Sequence, residues 1–541
     1  MNNSNILLIL FLLFSLPLLA NDYYVHAAIG SDKNNGLSPR YPFKTLAALK
    51  NISFKAGDTI FLSSNTIHQG NIEIKNFSGT SKEPLVITSY SWLGNEGLPA
   101  NAIIDFKGLA NGILIENSSN VKVHNITVTG DGHEGASNRN EMTCGVLVLS
   151  SQSQNMQDIL LSELKIQNVF NKNINFKRGK EEVRTANGTQ AYGWGIRVIN
   201  GENSAIKNIR IENNLIENVS HTGIKLSGNN KTLTQVEILN NEVRYTGGPG
   251  IQMSRVDQVE VRGNTVQHSG SNNDSRKWGR GSGLWTWGSS NVLIEKNKFL
   301  FANGPADSAG AHIDFNCENV IIQYNLSAYN AGGFCEILGN NYNCIYRYNL
   351  SINDGQRIKG QEGAFQEGKI FWLSGYQGKD QKRKGPVNTY FYNNTIYTDG
   401  SYTPKIAIEQ SSKGILIANN IFALKGNTKL VMGDQYNPEK KSDEIAKNII
   451  FTNNLYLNDE SWPNNIYPKD QNPIFENPEF KNEGSLMIEG YIPQNKYHIK
   501  KGIEIYPLPG DNFRTLQELN LPKDLLDKKI QESKFIGAIN P

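Results

Sequence analysis

The sequence predicts an all-β chain, a single-stranded right-handed parallel β-helix: a solenoid stabilised by an Asn ladder. Two recurring patterns predict it. One is a short apolar strand opened by small residues, found at 193–198 (GWGIRV), 221–226 (HTGIKL), 248–253 (GPGIQM), 281–286 (GSGLWT), 311–315 (AHIDF) and 333–337 (GFCEI). The other is a second apolar strand closed by Asn, as at 236–241 (VEILNN), 259–264 (VEVRGN), 292–297 (VLIEKN), 320–325 (VIIQYN) and 344–349 (CIYRYN). A unit that repeats at variable intervals and cannot bury its apolar face alone reads as a coil of a solenoid with loops of unequal length.

Taken in order, residues 1–20 run from a polar start through an apolar stretch, Ile6 to Leu19, to Ala20. This reads as a signal peptide and places the protein outside the cytoplasm, secreted or periplasmic. No later stretch is apolar enough to span a bilayer, so no membrane insertion is expected. Residues 22–110 are expected to cap the first coils, 111–454 to form the central coils and 455–541 to cap the last, because the exposed ends of a solenoid need covering. The closing Asn recurs as Asn214, Asn241, Asn264, Asn297, Asn325, Asn349, Asn394, Asn420 and Asn454. Asn tolerates the left-handed turn conformation, and stacked amides can hydrogen-bond from rung to rung.

Composition narrows the partners. A net charge of +3 from 54 Lys+Arg and 51 Asp+Glu gives no reason to expect nucleic acid. Four cysteines, Cys144, Cys317, Cys335 and Cys344, are too few for a disulfide framework in 541 residues and match no zinc spacing. Cys317 and Cys344 lie in consecutive coils and could pair only if the geometry allows.

At this point the chain resembles secreted β-helix proteins that act on carbohydrates, a superfamily of pectate lyases, alginate lyases and several glycoside hydrolase families. Tyr23-Tyr24-Val25, Gly30-Ser31-Asp32, Asn35-Gly36 and Pro42-Phe43-Lys44-Thr45 look like its opening motif, and Gly57-Asp58-Thr59-Ile60 like its first strand. Asn472-Pro473, Pro478-Glu479-Phe480 and Phe535-Ile536-Gly537-Ala538 resemble its closing strand. The resemblance implies that the first-strand family and its loops form the substrate groove. It specifies a scaffold and not a reaction.

Side chains alternate across a strand, so Ile196, Ile224, Ile251, Leu284, Ile313 and Cys335 are expected to point inward. Their successors Arg197, Lys225, Gln252, Trp285, Asp314 and Glu336 point out, and Trp372 and Glu409 continue the column. On this alignment Asp314 and Glu336 share a register on adjacent rungs, with carboxyls about 5 Å apart. Stacked like charges need a purpose, and their repulsion would leave one ionised and one protonated near neutrality. That equips a glycosidase, with Asp314 as nucleophile and Glu336 as acid/base, and Glu409 at the wider spacing of an inverting partner. Asp307, in the turn before the Asp314 strand, offers a third carboxylate. His312 could orient Asp314 or bind a hydroxyl. Trp285, Trp287 and Trp372 suit stacking on sugar faces. Arg197, Lys225 and the insertion 272–281 make one side of the groove basic, fit to read a carboxylate or sulfate.

Three functions fit these residues: a glycoside hydrolase acting on a plant or algal polysaccharide or oligosaccharide, a polysaccharide lyase using Lys225 or Arg197, and a non-catalytic carbohydrate-binding β-helix. The first accounts best for the acid column. It calls for a polysaccharide or oligosaccharide partner, no metal and no cofactor; calcium is the ion that lyase chemistry would add.

Overall fold

The computed structural model describes residues 20–92, 101–134, 142–151, 153–174, 176, 192–270, 280–364, 366–426, 428–430, 447–459, 469–495, 501–509, 511, 518–530 and 534–541. The signal-peptide reading of residues 1–20 lies outside them but for Ala20, as does most of the basic insertion, 272–279.

Each coil contributes one strand to each of three long parallel sheets, of 14, 12 and 14 strands. One turn of the solenoid runs Ile224–Ser227, Leu233–Leu239 and Glu242–Thr246 before Ile251–Ser254 lies against the first of these. The side chains that alternate inward fill a continuous core. Ile196, Ile224, Ile251, Leu284, Ile313 and Cys335 are all fully buried in it, as their pattern predicts.

The Asn ladder forms as a chain of buried amides. Asn297 Nδ2 donates to Asn325 Oδ1 at 3.0 Å, and Asn325 Nδ2 donates to Asn349 Oδ1 at 3.0 Å. The series runs unbroken from Asn214 to Asn454, where Asp470 accepts the last amide at 2.8 Å. The left-handed residue, however, is the one before each ladder Asn: Asn240, Gly263, Lys296, Tyr324 and Tyr348 all have positive φ. The ladder residue is therefore Asn because its amide satisfies backbone groups on both sides of a buried corner, and not because of its own backbone conformation.

The opening motif folds as a loop pinned by Asp32, whose Oδ1 accepts from the Lys44 and Thr45 N–H groups at 2.9 Å each. Its first strand is Asp22–Val25, which pairs with Thr59–Ser63. At the other end the last strand is Ile474–Phe475. Phe535-Ile536-Gly537-Ala538 forms no strand; it packs across the outside of the coils, with Phe535 against Tyr348 and Ala538 N donating to Thr395 Oγ1. The four cysteines are free and buried, so Cys317 and Cys344 are not paired.

Candidate active site

The register of the 12-stranded sheet decides which outward side chains are neighbours. Arg197 pairs with Lys225, Lys225 with Gln252, Gln252 with Trp285 and Trp285 with His312. Ile313 pairs with Ile337, which sets Glu336 beside His312, and Glu336 in turn pairs with Trp372. The outward row is thus Arg197, Lys225, Gln252, Trp285, His312, Glu336, Trp372. Asp314 lies two residues further along its strand and is not stacked on Glu336. The alignment slips because Gly283 and Gly310 lie level, with Leu284 beside Ala311; a Cβ at Gly283 would meet the Gly310 carbonyl oxygen at 2.4 Å. The close approach belongs to Gly310, and reading the strand from Ala311 shifts every later residue by two.

Glu409 is displaced as well: Ala407 stands beside Trp372, so Glu409 lies two residues beyond the row. Its carboxylate is held by the Arg383 guanidinium, the Gly375 N–H and the Ser411 hydroxyl. It fastens the 375–385 loop and leaves no oxygen for a substrate.

Although the expected stacking is absent, the three acids do converge. Asp307, Asp314 and Glu336 are 9%, 3% and 4% exposed and feel one another electrostatically. Asp314 Oδ2 accepts from the Trp285 indole N–H at 2.7 Å, and Oδ1 accepts from the Phe315 N–H at 2.8 Å. Asp307 Oδ2 lies 3.1 Å from Arg280 Nε, and its N–H donates to Gln366 Oε1 at 2.7 Å. Arg280 also lies over the Trp285 ring at 5.1 Å. The backbone is strained here: Asp307 and Ser308 have φ of 34° and 108°. Strain of this kind persists only where surrounding contacts impose it, and it gathers at functional sites.

The environments push the acids apart. Burial alone would raise Asp307, but the Arg280 guanidinium, with Arg357 and the Gln366 hydrogen bond, holds its carboxyl below the usual range. Burial raises Asp314 to about 7, with Arg280 opposing and Asp307 adding to the rise. Burial, then the charge of Asp307, drives Glu336 well above the carboxylate range despite Lys369 nearby. His312, its Nδ1 2.9 Å from Ser282 Oγ, is lowered by burial to about 4 and is neutral. Near neutral pH the cluster holds one carboxylate on Asp307, a proton on Glu336 and a titrating group at Asp314.

Trp285 and Trp372 are buried in the wall, Trp372 with Lys369 Nζ 4.0 Å from its ring, while Trp287 packs edge-on against Phe315 beside the row. Sequence reasoning missed Arg357, Gln366 and Lys369, which reach the cluster from the next coil. Of these only Lys369, opening the Trp372 strand, carried a positional signal. Among the described residues no group of three or more His, Cys, Asp or Glu is arranged to hold a metal ion, and no helix is long and apolar enough to cross a membrane.

A family model described as a right handed beta helix region matches residues 194–364, the stretch that carries the three acids and Arg280. The chain is a right-handed parallel β-helix. Among proteins of known function, this β-helix is 22% identical over 530 residues to a lacto-N-biosidase of Bifidobacterium longum subsp. longum, an alignment covering 82% of the chain but 31% of that protein. The chain therefore spans about a third of the relative's length. Among solved structures, the GH136 lacto-N-biosidase from Eubacterium ramulus superposes with a TM-score of 0.53 at 17% identity, covering 80% of this chain and 68% of that one. Its selenomethionine derivative gives 0.52 at 18%, covering 76% and 66%.

Proposed function

We propose that the protein is a glycoside hydrolase acting on an oligosaccharide, with Asp307 and Asp314 as the reacting carboxyl pair. The observation that carries this reading is the convergence of three buried acids on Arg280 beside an aromatic wall. A glycosidase needs one carboxylate and one transferable proton on opposite sides of the scissile bond. Asp307 ionised and Asp314 titrating near 7 supply both at neutral pH. Asp314 has both oxygens aimed by N–H donors, which fixes its orientation, while Glu336 keeps its proton and limits the negative charge of the cluster. Trp287, the partly exposed ring beside the row, offers apolar surface for a sugar face.

The likeness to lacto-N-biosidases supports an oligosaccharide as the first substrate to try; plant and algal polysaccharides are the wider class. The apolar run from Ile6 to Leu19 supports export, and the chemistry proposed requires no cofactor.

The test is a panel of neutral, uronic and sulfated oligo- and polysaccharides, following reducing ends and ultraviolet absorbance together. New reducing ends without absorbance are expected. Absorbance rising in step would mark β-elimination and overturn the hydrolase in favour of a lyase; binding without turnover would leave a carbohydrate-binding β-helix.

A further inference from the structure

The turn that carries Asp307 is held from both sides. Asp307 and Ser308 sit at φ of 34° and 108°, conformations that a residue with a Cβ occupies only under constraint. From the preceding coil, Ser282 Oγ accepts from the Ser308 N–H at 3.1 Å. The opposite side is held by the loop that leads into the Lys369–Leu373 strand, two rungs on from the Ala311–Ile313 strand. In the coil between, only residues 329–332 connect Leu326–Ala328 to Gly333–Ile337, so the loop crosses a short corner to reach the turn. The Arg357 N–H fastens it there, donating to the Ala331 carbonyl at 3.1 Å.

Two buried side chains of this loop grip the turn. The Arg357 guanidinium donates to the Gly304 carbonyl at 3.0 Å, the Asp307 carbonyl at 3.3 Å and the Gln366 carbonyl at 2.8 Å. Gln366 Oε1 accepts from the Asp307 N–H at 2.7 Å, and the same side chain hydrogen-bonds the Asp307 carboxylate. One amide thus fixes the backbone and the carboxylate of a single residue. At 2% exposure Gln366 is too deeply buried to meet a sugar itself.

Resting on the reading of Asp307 as a reacting carboxyl, we propose that Gln366 is a positioning residue for Asp307, that Arg357 holds Gln366 in place, and that the strained turn serves to aim the carboxylate. A relaxed turn would shift that carboxylate relative to Arg280 and Asp314, and a misplacement of about 1 Å can cost on the order of a hundredfold in rate. The Gln366 bond also helps Arg280 and Arg357 to keep Asp307 ionised, so its loss raises the carboxyl pKa. Facing Asp307 are Arg280, Arg357, Asp314 and Glu336, with neutral His312 beside them, and Gln366→Met alters none of these groups.

The experiment is the pH dependence of kcat and KM for the full chain on the member of the sugar panel that it hydrolyses fastest. The parent is compared with Gln366→Met, Gln366→Glu and Asp307→Asn, with a thermal midpoint for each. Gln366→Met nearly keeps the volume and removes both hydrogen bonds. It is expected to lower kcat at least about tenfold with KM within about twofold, and to move the acidic limb of kcat/KM, which reports Asp307, to higher pH while the basic limb stays. Gln366→Glu keeps an acceptor for the Asp307 N–H but sets a carboxylate beside Asp307, so its acidic limb should move further; this variant decides the matter if Gln366→Met does not fold. An acidic limb at the parental pH in the folded variants, whatever their kcat, would overturn the positioning role. Asp307→Asn separates the two readings. If it is inactive while the Gln366 variants keep the parental limb, the positioning role alone fails; if it stays active, or if the parent hydrolyses no member of the panel, the hydrolase reading fails and this inference with it.

Discussion

Arg280 reaches Asp307 directly and Asp314 through space, so it sets the ionisation of the whole cluster. Its positive charge lowers both carboxyl pKa values, and removing it must raise both. Arg280→Gln is therefore expected to move the basic limb of the kcat/KM profile, near pH 7 in the parent, to higher pH while lowering its maximum; a limb that stays in place would separate Arg280 from the titrating pair. A second buried acid gives a stability prediction. Asp354 is raised by burial to about 7, although Ser327, Ser351 and Asn330 hydrogen-bond it. With a folded pKa above the unfolded one, its contribution is fully present below about pH 4 and is lost as pH rises to about 7. Asp354→Asn keeps the acceptor for Asn330 and can donate to Ser351 Oγ. It should stabilise the fold by on the order of a few kcal/mol above pH 7, with no gain at pH 4, measured by denaturant unfolding at the two pH values. At this scale the sequence singled out Asp307, Asp314 and Glu336, the last two from outward strand positions and Asp307 from the turn before the Asp314 strand. It misjudged how they meet. A two-residue slip at Gly310 is invisible to an alternating pattern, since it preserves which side chains point out. The capture of Glu409 by Arg383 depends on a loop whose path no periodicity encodes.

Among the elements, the ladder corner carries the clearest energetic claim. Asn325 accepts from the Asn297 backbone and side-chain amides and donates to the Ile294 and Gln323 carbonyls and to Asn349 Oδ1. Asn325→Ala leaves several buried groups without partners, at about 1–3 kcal/mol each. Unfolding should show a loss of at least about 3 kcal/mol, against a few tenths for an exposed Asn such as Asn51→Ala. A loss under 1 kcal/mol would mean that water replaces the amide. The ladder was legible because one side-chain chemistry recurs at one place in successive coils. The left-handed residues before it were not, because Asn, Gly, Lys and Tyr all occupy them and no single residue type marks the position.

For the whole molecule, the C-terminal segment does more than close the last coil. It runs back along the outside: Asp527 pairs with Lys296 at 2.7 Å, Tyr324 OH donates to the Lys523 carbonyl at 2.7 Å, and the Tyr392 hydroxyl donates to the Leu519 carbonyl at 2.6 Å. Beneath it Ile345, Tyr348, Tyr390 and Leu416 form an outer apolar layer with Ile505, Leu508 and Phe535. Truncation after residue 495 should expose this layer and cause self-association on size-exclusion chromatography; a monodisperse, equally stable product would show the strap to be dispensable. The solenoid itself was readable from the repeat, whereas the strap has no repeat and its contacts span well over a hundred residues of sequence. Function lies between these extremes, for the scaffold places the row while individual contacts decide its chemistry. The most direct test of that chemistry is the turnover of Asp307→Asn and Asp314→Asn proteins on the best substrate of the panel. Each is expected to lose at least about a thousandfold in kcat while keeping its thermal midpoint and ligand affinity. If either variant stays within tenfold of the parent, the carboxyl pair proposed here is not the catalytic one.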